Sequence, residues 1–118
     1  MDHATRREGE VAVLPLGGDL DLSSVGAIER EIRRAEARRP DVLVLDLRAA
    51  TLLDSSILRE IVAAHVRARR NSRRLVIALD SEPVRRVFRL TALEWRLEIV
   101  RDPADVDAGL LGRRRIAS

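Results

Sequence analysis

The chain alternates short β-rich apolar runs with stretches of helical period, and this alternation restricts its fold class more than any other feature. Glu10 to Leu16 is a β-rich run, and Gly17-Gly18 with Asp19-Leu20-Asp21 reads as the turn that follows it. From Ser24 to Arg38, Val25, Ile28, Ile32 and Ala35 recur at helical spacing, while Glu29 precedes Arg33 by four residues on the polar face. Pro40 stops that helix. Val42 to Leu45 reads as a strand apolar on both faces, as parallel strands are. A loop is expected from Arg48 to Asp54. The next helix is predicted from Asp54-Ser55-Ser56 to Arg70, turning Leu58, Ile61, Val62 and His65 inward. Leu75 to Leu79 is a further strand, and Ser81-Glu82-Pro83 starts a helix that ends near Leu90. Leu97 to Val100 is a short last strand, and Asp102-Pro103 opens a final helix to about Leu111. Strands separated by helices in this way predict an α/β domain with a mostly parallel sheet.

Composition sets the remaining bounds. With 118 residues, 46% of them hydrophobic, the chain supports one core and one domain. No apolar run approaches the roughly 20 residues of a membrane span. The N-terminus, Met1 to Glu8, has no apolar stretch behind its charges, so no secretory signal is expected and the cytoplasm is the expected location. There is no cysteine, and all 22 basic residues are arginine, which removes thiolate, Schiff-base and lysine-base chemistry together. The net charge is only +3, and the pairs Arg33-Arg34, Arg38-Arg39, Arg69-Arg70 and Arg73-Arg74 fall on polar faces or near helix C-termini. Phe88 and Trp95 are the only aromatics, too few for a base-stacking platform, so no direct nucleic-acid or membrane partner is expected. Trp95 is expected at the core edge, closing the last strand.

Enzyme readings fail on inventory. His3 and His65 are the only histidines. A triad of Asp54, Ser55 and His65 fails because ten helical residues separate the serine and the imidazole by about 15 Å. No His or carboxylate spacing resembles a metal site, Gly17-Gly18 is too short to cradle phosphate, and no cofactor is expected. A receiver domain phosphorylated on Asp46 or Asp54 would need a lysine that the chain lacks.

Leu52-Leu53-Asp54-Ser55-Ser56-Ile57-Leu58 stands apart. It sets two hydroxyls at the start of a helix, where free N–H groups and the positive end of the dipole favour an anion. A phosphate there would add about −1.5 to −2 charges beside Asp54. Taken alone, the same residues also serve as an ordinary N-cap.

At these residues the chain resembles the STAS domain family, the fold of bacterial anti-sigma factor antagonists. Gly18-Asp19-Leu20-Asp21 is similar to the family's Gly-Glu-Leu-Asp turn. Val42 to Leu47 followed by Asp54-Ser55-Ser56 resembles the strand leading to its Asp-Ser-Ser/Thr-Gly-Leu motif. Val84-Arg85-Arg86-Val87-Phe88 with Thr91-Ala92-Leu93 resembles a later helix and its Gly-Leu ending. The resemblance implies a single STAS domain over residues 9–111: a mostly parallel mixed sheet with an antiparallel N-terminal strand and about four helices. A short extension (1–8) and an Arg-rich tail (112–118) flank it. It further implies that Ser55 is the phosphoacceptor of an anti-sigma factor that is also a serine kinase of histidine-kinase-like ATPase fold. A serine phosphatase is a further partner in that scheme. The unphosphorylated form binds the anti-sigma factor and releases the sigma factor. Asp21, Asp54, Ser56, Ile57, Leu58 and Arg59 form the implied partner surface. Ile57, Arg59 and Ala92 stand where the family has glycine. This leaves two alternatives, altered partner specificity or a scaffold or ligand-sensing module that binds without being phosphorylated.

Overall fold

The computed structural model describes residues 10–106 of the chain. The extension expected over 1–8 and the tail expected over 112–118 lie outside that range. Strands β1 (Val11–Pro15), β3 (Val42–Asp46), β5 (Arg74–Ala78) and β6 (Glu98–Val100) form a sheet in the order β1-β3-β5-β6. Strands β2 (Gly18–Leu20) and β4 (Ala50–Leu53) form a separate parallel pair. Helices α1 (Val25–Ala37), α2 (Ser55–Arg70) and α3 (Glu82–Leu90) supply the crossovers.

The sheet is built as its sequence demands. Along β3, Leu43 and Leu45 join the helix-covered core with Ile28, Ile32, Ile57 and Ile61, while Val42 and Val44 face the other side with Val76, Ala78 and Val106. A strand buried on both faces cannot alternate apolar with polar, which is why β3 and β5 read as continuous hydrophobic runs. Phe88 of α3 is fully buried, and α3 packs against β4.

Several expectations are corrected. Every strand pairing among the described residues is parallel, including that of β1 with β3, so the antiparallel N-terminal strand is not found there. The described residues hold three α-helices rather than about four, and only a 3-10 turn at Pro103–Asp105 stands where a final helix was expected to begin. The rest of that helix, to Leu111, lies outside the described residues. The turn at Asp19-Leu20-Asp21 and the loop from Arg48 to Asp54 instead contain β2 and β4, whose shortness hides any period. Trp95, expected at the core edge, is 84% exposed on a 3-10 turn.

Candidate functional site

The β2–β4 pair sets up two matching turns. Leu20 lies opposite Leu53, and each strand is followed at once by an aspartate, Asp21 and Asp54. The Asp54 backbone N–H donates to the Leu20 carbonyl at 3.1 Å, which locks the two turns side by side. The Asp21 carboxylate accepts hydrogen bonds from the Ser23 backbone N–H at 3.1 Å and the Ser23 hydroxyl at 2.6 Å. The Asp54 carboxylate repeats the arrangement, accepting from the Ser56 backbone N–H at 3.0 Å and from the Ser56 hydroxyl. Both are N-cap geometries, an extended residue whose side chain satisfies free donors of the first turn. The one cap leads through a 3-10 turn into α1, and the other leads directly into α2.

Hydrogen bonding sorts the hydroxyls of this cluster. Ser24 both donates to the Asp21 carbonyl at 2.8 Å and accepts from the Asp21 N–H at 3.0 Å. The Thr51 hydroxyl donates to Asp19 at 2.6 Å across the strand pair. Ser55 differs: its side chain is exposed and makes no hydrogen bond among the described residues. It occupies the first turn of α2, beyond the cap, with its Oγ open to approach. The hydrogen bond from the Ser56 hydroxyl, reinforced by the backbone N–H groups of Ser56, Ile57 and Leu22, holds the Asp54 carboxyl below its ordinary pKa. An ionised carboxylate therefore sits beside a free hydroxyl.

The residues implied as partner surface divide by helical geometry. At 100° per residue, Arg59 returns to the face of Ser55, and it is exposed. Ile57 lies about 160° around the helix from Ser55 and Leu58 only about 60°, yet both pack into the core, 0% and 6% exposed, so neither side chain is open to approach. The isoleucine in place of a family glycine consequently does not narrow the approach to Ser55; only Arg59 does. Asp21, Asp54 and Ser56 are half-buried at the junction of the two turns.

Sequence reasoning missed two members of this face. Leu22, 69% exposed, takes in the first turn the place that Ser55 takes in the second, and Leu52 is 48% exposed on β4 just before the cap. A signal existed for Leu22 alone: adjacent strand residues point to opposite faces, but both are core where both faces are covered, as along β3, so Leu52 could not be told from Leu53. Leu22 is a lone apolar residue inside a polar capping turn.

Among the described residues, no group of three His, Asp or Glu side chains is placed to hold a metal ion. No helix there is long and apolar enough to cross a membrane. His65 is half-buried, and its Nδ1 is buried without a hydrogen-bond partner.

A family model described as STAS domain matches residues 3–105 of the chain. The anti-sigma-F factor antagonist RsfB of Mycobacterium tuberculosis, in two strains, is 32% identical over 104 residues, covering 88% of this chain and 84% of the relative. Among solved structures, an anti-sigma factor antagonist from Mycobacterium paratuberculosis superposes with a TM-score of 0.75 at 24% identity, covering 85% of each chain. A Thermotoga maritima protein assigned to the same class gives 0.73 at 16% identity, over 92% of this chain and 88% of the other. At these identities the two structures speak for the fold.

Proposed function

This chain belongs to the STAS domain family, and from that membership we propose that it is an anti-sigma factor antagonist whose docking face surrounds Ser55 and is switched off by phosphorylation there. The name of the Mycobacterium tuberculosis relative supports the class of partner. The observation that carries the switch is the sorting of hydroxyls: Ser23, Ser24, Thr51 and Ser56 are each engaged in hydrogen bonds, while Ser55 alone in the cluster is exposed and unengaged.

In this reading the unmodified face is a small apolar patch of Leu22 and Leu52 beside a neutral hydroxyl, with Asp21 and Asp54 already tied into caps. The partner is an anti-sigma factor that is also a serine kinase of histidine-kinase-like ATPase fold. It buries the leucines, and the sigma factor is freed. Phosphorylation adds about two negative charges next to an ionised Asp54. The helix tolerates them, because its N-terminus favours anions. The docked partner does not, since the charges would have to be desolvated against a carboxylate and apolar surface. Arg59, one turn along, can neutralise part of the phosphate and so stabilises the modified state. The protein is then a ligand and a phosphoryl acceptor rather than a catalyst, working in the cytoplasm, with a serine phosphatase returning it to the binding form.

The test is capture from the source cell's extract followed by incubation with the captured partner and ATP. Wild type and Ser55→Ala should retain an ATP-binding anti-sigma factor, whereas Ser55→Asp should lose it by at least about tenfold in affinity, on the scale of one uncompensated buried charge. Mass spectrometry should show one added phosphate in wild type and none in Ser55→Ala. Full retention by Ser55→Asp, or a phosphate that survives Ser55→Ala, would sink the switch. Capture with no phosphate gain would instead favour a scaffold that binds without phosphoryl chemistry.

A further inference from the structure

The far end of α2 holds a second site. A cleft of about 340 Å³ opens between the C-terminal halves of α1 and α2 and the start of β5. Its apolar wall is Pro40, Leu43, Ala64, Ala68 and Leu75. Its polar rim is three guanidiniums, Arg33, Arg67 and Arg73, against one lining carboxylate, Glu36.

Those arginines are incompletely used. Arg67 spends its Nε on Glu36, at 3.0 and 3.1 Å to the two carboxylate oxygens, and its Nη2 is buried with no partner. Arg74 pairs with Glu98 through Nε and Nη2, and its Nη1 is likewise buried and unpartnered. Arg73 reaches only the Glu36 carbonyl, at 3.4 Å, and Arg33 is exposed on the rim. A buried N–H without an acceptor is costly, and proteins leave few of them. Of the two, Arg67 Nη2 lies on the cleft side, whereas Arg74 shares the opposite sheet face with Val42 and Val76. The helix C-termini oppose an anion with about half a negative charge each. Together with Glu36 they still leave the three guanidiniums in excess. The nearby Asp41 carboxylate is engaged by the Glu10 backbone N–H.

We propose that this cleft binds a small phosphate monoester, its oxyanion held by Arg73, Arg33 and, after a small swing of its guanidinium, Arg67, with its organic body against the alanine and leucine wall. A guanidinium's fork of donors matches a phosphate's oxygens, and the apolar wall explains why an ester should bind better than the bare ion. The cleft begins at Ala64, about 13 Å along α2 from Ser55, and extends away from it to Asn71, so a ligand there would not cover the docking face.

The probe is phenyl phosphate, titrated into the isotopically labelled full chain and followed by backbone amide shifts, with inorganic phosphate and phenol as controls. Saturable shifts are expected at Ala37, Ala64, Asn71 and Leu75, tightest with phenyl phosphate, weaker with inorganic phosphate and absent with phenol. The exposed-rim change Arg33→Glu should weaken binding about tenfold, as should Arg73→Gln, each removing one charge-assisted contact. Arg33→Glu should leave the thermal midpoint unchanged, so that weakened binding cannot be blamed on unfolding. The proposal is overturned by the absence of saturable shifts at these amides, by equal affinity for phenol, or by affinities that both variants leave intact.

Discussion

Leu22 and Ser55 hold equivalent places in two adjacent turns, each directly after a capping aspartate. The same backbone geometry thus presents an apolar residue in one turn and an unengaged hydroxyl in the other. The caps were legible in the sequence because capping is local chemistry: an Asp whose carboxylate reaches a Ser two residues on needs nothing from the rest of the molecule. Side-chain direction was not legible from the motif read as a linear string. Ile57 and Leu58 follow Ser55 in sequence but lie around the helix from it, in the core. Cap and charge can be separated at Asp54. Asp54→Asn keeps an acceptor for the Ser56 N–H and should leave the thermal midpoint nearly unchanged; Asp54→Ala removes the cap and should lower it by about 4 °C by differential scanning calorimetry. If phosphorylated Ser55 repels Asp54, the Asn variant should also retain more partner affinity in the Ser55→Asp background than wild type does. Ala92 offers a second residue-scale test. It stands where the family has glycine and adopts φ of 63°, a left-handed conformation that costs an L-residue about 1–2 kcal/mol. Ala92→Gly should therefore stabilise the fold by about 0.5–1 kcal/mol in urea denaturation, the relief outweighing the unfolded-state entropy that glycine adds. A destabilised variant would mean that the alanine methyl is worth more than the strain.

Elements were legible in proportion to their length. α2 runs over Ser55–Arg70, as its caps and stripe predict, and β3 and β5 announce themselves as apolar runs. β2 and β4, three and four residues long, carry no period that a sequence could show. They exist because the flanking turns bring them together, and Leu20 and Leu53 seal them from below. Yet this pair positions the proposed docking face, because it aligns the two aspartate turns. The exposed leucines it presents should matter for binding and hardly at all for folding. Leu22→Ser with Leu52→Ser should change unfolding free energy by no more than about 0.5 kcal/mol per site, as surface substitutions do. The same double change should weaken anti-sigma factor binding by at least about tenfold, since two apolar side chains would no longer be buried at the interface. Calorimetric titration checks the second expectation and urea denaturation the first. An unchanged affinity would move the interface away from the β2–β4 edge.

At the scale of the whole molecule, acid should erode the stability of this domain through two sets of groups. The first is His65 on α2. Burial, followed by the charges of Arg69 and Arg96, holds its pKa below the ordinary value. Its buried Nδ1 has no partner with which to share a proton. The unfolded chain therefore takes up that proton at a higher pH than the folded one, so stability is complete above about pH 6.5 and falls as pH drops toward the folded value. The second is a set of carboxylates. Hydrogen bonds from Arg48 depress Asp46, those from Ser56 depress Asp54, and those from Arg89 depress Glu82. Their stabilisation is present above the unfolded values near about 4 and is lost as pH falls through the lower folded ones. Both slope the same way, so a profile of thermal midpoint against pH should show a decline that begins below about pH 6.5 and a further fall below about 4. His65→Gln should flatten the upper decline and leave the lower one in place, because only the imidazole titrates in that window. An upper decline that persists in the variant would assign it to another group. A lower one that vanished with it would mean that the imidazole and the carboxylates do not titrate independently.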